Sequence, residues 1–183
     1  MEVSKKSVYM NNFHKGIVLR ASSVYKSTIT LFDEKLGKIE GIAGRSIALS
    51  HGALISYTLQ KRTSCYYLQD MKLLEMPLEW ARENFLFFHH VLELCDYFVP
   101  WDVHCEALFK LVYFLYTNPS SVDTKDAQKL FLTSFFKRVG IHPERGSKSL
   151  EDWLQACINE HPQVLLFRTA GFLKTLEVHE EPA

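Results

Sequence analysis

Tyr66 and Tyr67 are adjacent in a run, Cys65 to Leu74, whose β-favouring opening and apolar Leu68, Met71 and Leu73 suit a strand. Neighbours in a strand face opposite ways, so one ring enters a core and the other faces out. An outward aromatic beside cations suits single-stranded nucleic acid, because the ring stacks on a base while the positive charges meet the phosphates. The other use for such a ring is to cover a seam between strands and helices. The cations that can share the surface are Lys15, Arg20, Lys26, Lys38, Arg45, Lys61 and Arg62. Lys61 and Arg62 fall in an expected turn and Arg45 in an expected loop, positions from which small β-barrels reach a ligand.

The charge distribution agrees with this reading. The chain has 21 Lys and Arg against 21 Asp and Glu. Up to Met76, however, eleven bases face six acids, so the N-terminal part is basic by five and the remainder acidic by the same amount. Such asymmetry fits phosphate binding, and it also fits an ordinary solvated surface.

Enzyme machinery is harder to find. The sequence has neither a phosphate-cradling Gly-x-x-x-x-Gly-Lys nor a Gly-x-Ser-x-Gly elbow. His89, Glu93 and Cys95, or His104, Cys105 and Glu106, could form a metal or Cys/His site, but their spacing matches no ligand pattern and core or rim roles fit them better. Cys65, Cys95, Cys105 and Cys157 form no Cys-x-x-Cys pair, which argues against a disulfide framework or zinc ribbon. No catalytic residue, metal or cofactor is expected. No apolar run approaches the roughly 18 residues of a spanning helix. The opening MEVSKKSVYMNNF lacks a secretory h-region. These features predict a soluble, cytoplasmic protein with no membrane partner.

The elements that would position the tyrosines and cations are short. After a loosely held arm, Met1 to Phe13, Lys15 to Ala21 reads as a strand with one buried face and Arg20 in solvent. Ser27 to Phe32 alternates with a period of two, and Asp33 to Gly37 makes a hairpin turn into Lys38 to Ala43. A loop from Gly44 to Gly52 precedes a strand from Ala53 to Gln60, and Lys61 to Ser64 turns the chain into the Tyr66-Tyr67 strand. Five short antiparallel strands predict a small closed barrel, since closure hides sheet edges.

At Pro77 the period becomes helical. Helices are predicted from Pro77 to about Pro100 and from Val103 to Thr117. A third runs from an Asp123 cap to Gly140, and two more start at Ser149 and Pro162. The tail from His179 is expected to fray. The chain therefore reads as α+β, with a barrel over residues 1–76 and a helical domain over 77–183. The two parts lack a Gly/Ser linker and should share a core surface.

Several motifs resemble the RecO recombination-repair mediators: Gly16-Ile-Val-Leu-Arg20, Ile29-Thr-Leu-Phe32, Leu36-Gly-Lys-Ile39, Gly41-Ile-Ala43, Leu73-Leu-Glu75, Lys129-Leu-Phe131, and Phe135 to Pro143. The order of parts agrees over roughly Phe13 to Pro143. The resemblance implies an N-terminal oligonucleotide-binding (OB-fold) barrel on a helical domain. It implies binding of single- and double-stranded DNA and strand annealing without a chemical step. The partners implied are RecR and the C-terminal tail of single-stranded DNA-binding protein, and the outcome is recombinase loading. Lys129 beside Phe131 falls where the family carries a basic residue for that tail. The chain departs from the family in three ways. Between Gly44 and Ser50 only Arg45 remains of a usually basic segment. Beyond Gly140 only Cys157 remains of a four-cysteine zinc module. The chain is also shorter than typical members and lacks their basic ending. The depleted loop and aromatic helical half leave an adaptor working through protein contacts as the alternative.

Overall fold

A computed structural model describes residues 13–21, 28–44, 49–62, 65–76, 84–141, 149–161 and 168–177. The strands are β1 His14–Ala21, β2 Thr28–Asp33, β3 Gly37–Ala43, β4 Leu54–Arg62 and β5 Cys65–Glu75. The helices are α1 Phe85–Phe98, α2 Glu106–Thr117, α3 Lys125–Val139, α4 Leu150–Glu160 and α5 Arg168–Glu177, with a 3-10 turn at Pro119–Val122. The N-terminal arm, Lys26, Arg45, the helix starts at Pro77 and Pro162, and the tail lie outside the described residues. No described helix is long and apolar enough to cross a membrane.

The five strands close into a barrel in the order β1-β2-β3-β5-β4. One pairing departs from the all-antiparallel expectation, since β3 and β5 run parallel, with Gly41, Ile42 and Ala43 opposite Tyr66, Tyr67 and Leu68. The cause is the route of the chain. After β3 the chain crosses to place β4 against β1, and β5, folded back on β4, then returns along the free edge of β3 in the direction of β3. The turn expected at Lys61 also moves. Lys61 and Arg62 belong to β4, opposite Tyr66 and Cys65.

Val18, Leu31, Ile39, Ile55, Tyr57 and Leu68 fill the barrel interior. Ile17, Leu19, Phe32 and Leu54 point the other way, into a second core with α1, α2 and the later helices. β1 is therefore buried on both faces rather than one, because helices cover its outer side. Phe32 meets Phe109 edge-on at 5.3 Å. The Tyr116 hydroxyl donates to the Gly52 carbonyl at 2.7 Å. Gly52 has φ +80, and a Cβ there would lie 2.5 Å from the Phe88 ring. The barrel thus seats directly on the helices.

Local signals account for both ends of α3 and the start of α4. Gly140 ends α3 in the left-handed region at φ 81. Ser149 and Asp152 form a reciprocal capping box on α4. The cap of α3 is Thr124, which accepts from the Ala127 amide, and not Asp123. Asp123 ends the 3-10 turn, and its Oδ1 accepts a 2.9 Å bond from the Asn84 side-chain Nδ2.

One charge lies inside the barrel end. Asp33 is fully buried. Its Oδ1 accepts from the Lys35 and Leu36 amides at 2.7 and 2.8 Å. Its Oδ2 accepts from the Tyr57 hydroxyl and lies 3.0 Å from His14 Nδ1. Burial alone would raise the carboxyl, but the hydrogen bonds from His14 and Tyr57 outweigh it and hold the group below its usual value. A folded value below the unfolded one means that this stabilisation is complete above about pH 4 and is lost as pH falls through the folded value. Urea denaturation from about pH 6 to pH 3 should show the wild type losing stability faster than Asp33→Asn, which starts roughly 1–3 kcal/mol less stable. Parallel curves would show that the carboxylate does not contribute.

Candidate nucleic-acid interface

The barrel meets the helices through the β2–β3 hairpin. Gly37 turns the chain at φ 74, and a Cβ there would lie 2.1 Å from the Val103 carbonyl. The segment 100–102, between α1 and α2, then runs beside β3. The Lys38 amide donates to the Pro100 carbonyl and the Asp102 amide to the Lys38 carbonyl, each at 2.9 Å.

Lys38, expected on the binding surface, is turned into this seam and is 4% exposed. Its ammonium donates to the Asp96 carbonyl near the C-terminus of α1 and sits 4.7 Å from the Trp101 ring centroid. Burial pushes the amine down, and the Asp96 charge offsets part of that. The cation satisfies one of the carbonyls that a helix end leaves unpaired. Arg20 faces out from β1 as expected, but its Nε and Nη2 both donate to Asp96 Oδ1, at 3.1 and 2.9 Å. Lys15 is exposed elsewhere, 5.7 Å from the Tyr113 ring of α2.

Four expected residues do come together where β4 and β5 pair. Lys61 stands opposite Tyr66, and Gln60 opposite Tyr67. Paired residues share a side, so the Tyr66 side also carries the core pair Leu59 and Leu68, while Tyr67 takes the outer side with Gln60 and Arg62. The expected division of the tyrosines holds, with Tyr66 packing on the barrel core at its rim. The Lys61 ammonium lies 5.2 Å from the Tyr66 ring and the Arg62 guanidinium 4.8 Å from the Tyr67 ring. Two exposed cations are thus each held on an aromatic face. The Tyr66 hydroxyl donates to Asp102 Oδ1 at 2.8 Å, and burial together with this bond raises its pKa.

Sequence reasoning missed Trp101, half exposed beside this cluster. The signal available was its place after Pro100, in a short interhelical connection where a large apolar residue has no helix face to pack on.

The expected tail-binding pair on α3 divides differently. Phe131 is core, edge-on to Phe87 at 5.7 Å, and Lys129 is half-buried. The exposed apolar residue between them is Leu130.

A groove of about 480 Å³ between β1 and α1 brings together Arg20, His51, His89, His90, Glu93, Asp96 and Arg168. Its polar groups engage one another. The Thr169 amide donates to Glu93 at 3.0 Å, and His90 contacts the Thr169 hydroxyl at 3.0 Å while stacking on Phe172. Burial pushes His51 and His90 down, favouring their uncharged forms. With two carboxylates lining it, the groove suits a phosphate backbone less well than the β4–β5 rim. Among the described residues no group of three His, Cys, Asp or Glu could hold a metal. Burial raises the thiols of Cys95 and Cys157, the latter to about 12, which makes them poor nucleophiles. No family model matches the sequence, and no curated protein matches it.

If the Lys38 ammonium is the contact that joins barrel to helix, Lys38→Met should cost about 1–2 kcal/mol, because a buried helix-end carbonyl loses its donor. Thermal unfolding followed by circular dichroism should then show Tm lowered by roughly 2–8 °C. An unchanged Tm would remove the seam contact from any account of stability.

Proposed function

We propose that this chain is a non-enzymatic DNA-binding mediator of the RecO type, whose barrel contacts nucleic acid at the β4–β5 rim, where the two sides of the strand pair meet solvent. The observation that carries the proposal is the pair of cation–ring contacts, Lys61 on Tyr66 and Arg62 on Tyr67. Together they offer stacking surface and positive charge within one strand pair, which is what a flexible strand needs. The closed order β1-β2-β3-β5-β4 supports reading the barrel as an oligonucleotide-binding fold. In this reading the protein binds single- and double-stranded DNA and promotes annealing. With RecR and the tail of single-stranded DNA-binding protein it helps to load recombinase, in the cytoplasm.

A second reading is favoured by the engagement of Arg20 and Lys38 with Asp96, which pairs the charge of the exposed Arg20 and buries Lys38. In it the chain is an adaptor that retains the fold and works through protein contacts.

Salt dependence separates the two. If Lys61 and Arg62 each displace one counterion from a single strand, log K falls with log salt at a slope of about −1.4. Affinity for a labelled oligonucleotide, measured by fluorescence anisotropy, should then drop about sevenfold between roughly 50 and 200 mM salt. The Lys61→Ala/Arg62→Ala protein should bind weakly and lose most of that slope. No binding at low salt, together with capture of RecR or single-stranded DNA-binding protein in a pull-down, would favour the adaptor.

A further inference from the structure

The edges of β3 place Trp101 and Tyr67 in one file. β2 occupies one edge of β3 from Gly37 to Ile42. The other edge is shared. Tyr66 to Leu68 pair parallel with Gly41 to Ala43, and Trp101 pairs parallel with Lys38. Residues opposite each other in a sheet project to the same side, and residues 38, 40 and 42 share a side. Trp101, level with Lys38, and Tyr67, level with Ile42, therefore stand on the same outer face. Four residue steps along β3 separate them, a span of about 13 Å.

Trp101 is 48% exposed although its backbone is fixed by hydrogen bonds on both sides. Holding the segment on β3 uses the Pro100 carbonyl and the Asp102 amide, and shielding Lys38 uses one face of the indole. Neither needs so much of a large apolar ring in water.

We infer that Trp101 and Tyr67 form a two-ring platform that stacks two separated bases of one strand, so that this platform engages a single strand and any duplex is held by other contacts. The inference rests on the nucleic-acid reading above. In a duplex, successive bases along a strand lie about 3.4 Å apart and are already stacked, so none can reach both rings. A single strand can splay its bases across about 13 Å, with intervening nucleotides unstacked. Charge sets its path. Glu40 is exposed on the same face, level with the gap between the rings, and repels phosphate there. Arg62, beside Tyr67, attracts it. The backbone accordingly runs on the β4 side of the rings, past Arg62.

The test uses the full chain with a fluorescein-labelled oligothymidylate and a duplex of the same length. Trp101→Ala should weaken oligothymidylate binding roughly ten- to a hundredfold and leave the salt slope unchanged, because it removes a ring and no charge. Trp101→Phe, which keeps a ring over Lys38, should stay within about threefold of wild type. Glu40→Gln should tighten binding. Tryptophan emission should be quenched by the oligonucleotide, and the quench should be smaller in Trp101→Phe, where only Trp80 and Trp153 still emit. Circular dichroism of each variant checks the fold. Should the wild type bind with salt dependence while folded Trp101→Phe and Trp101→Ala both bind equally well, the platform is overturned and the nucleic-acid reading stands. A loss in Trp101→Ala as large for the duplex as for the single strand would overturn the platform too. No binding by the wild type would sink the parent reading and the platform with it.

Discussion

The barrel and the helices are held in one arrangement by a lysine ammonium placed against the end of a helix. Lys38 reaches out of β3 to the Asp96 carbonyl and lies against Trp101, while Arg20 holds the Asp96 carboxylate from β1. The two strands that flank β2 thus grip one residue of α1, one by its backbone and the other by its side chain. A buried cation is costly when alone, and here its charge lies near Asp96 and the Trp101 ring while one donor meets the Asp96 carbonyl. The carbonyl it meets belongs to the end of α1 where the helix leaves partial negative charge. Because the contact is made at the seam, the position of the segment 100–102, and with it of Trp101 and Asp102, follows from the hairpin that carries Gly37 and Lys38.

Apolar packing supplies the rest. Ile17, Leu19 and Phe32 extend the helical core onto the barrel's outer wall, so barrel and helices bury one continuous surface. Inside, Asp33 ties the end of β2 to β1 and β4 through His14 and Tyr57. Gly16 leaves room for that tyrosine, since a Cβ there would lie 3.0 Å from its hydroxyl oxygen. With the barrel wall fixed from both sides, the β4–β5 pair can display Lys61, Arg62, Tyr66 and Tyr67 from a firm support.

What the sequence made legible was local. The alternation of Thr28 to Phe32, the turn at Gly37, the left-handed Gly140 and the Ser149 cap each depend on residues within a few positions. The opposite orientations of Tyr66 and Tyr67 likewise follow from strand geometry alone. The parallel pairing of β3 with β5 was not legible, because it depends on where the chain crosses after β3 rather than on any residue in either strand. Lys38 illustrates the same limit. In the sequence it resembles Lys35 or Lys61, and only the docking of a distant helix end turns it from a surface cation into a buried one. The resemblance sets Phe131 beside Lys129 as a tail-binding pair, and nothing in the local sequence says what covers the ring. In the fold that ring is covered by Phe87 of α1.

The parallel bridge at Trp101 also bears on how the protein coexists with copies of itself. A sheet edge with open amides and carbonyls invites another strand, and β3 would offer such an edge over the half that β5 does not reach. Lys38 spends its amide and carbonyl there on Pro100 and Asp102. The interhelical segment thereby acts as a guard rail along the barrel, closing the stretch where a neighbouring chain could start to add strands and aggregate.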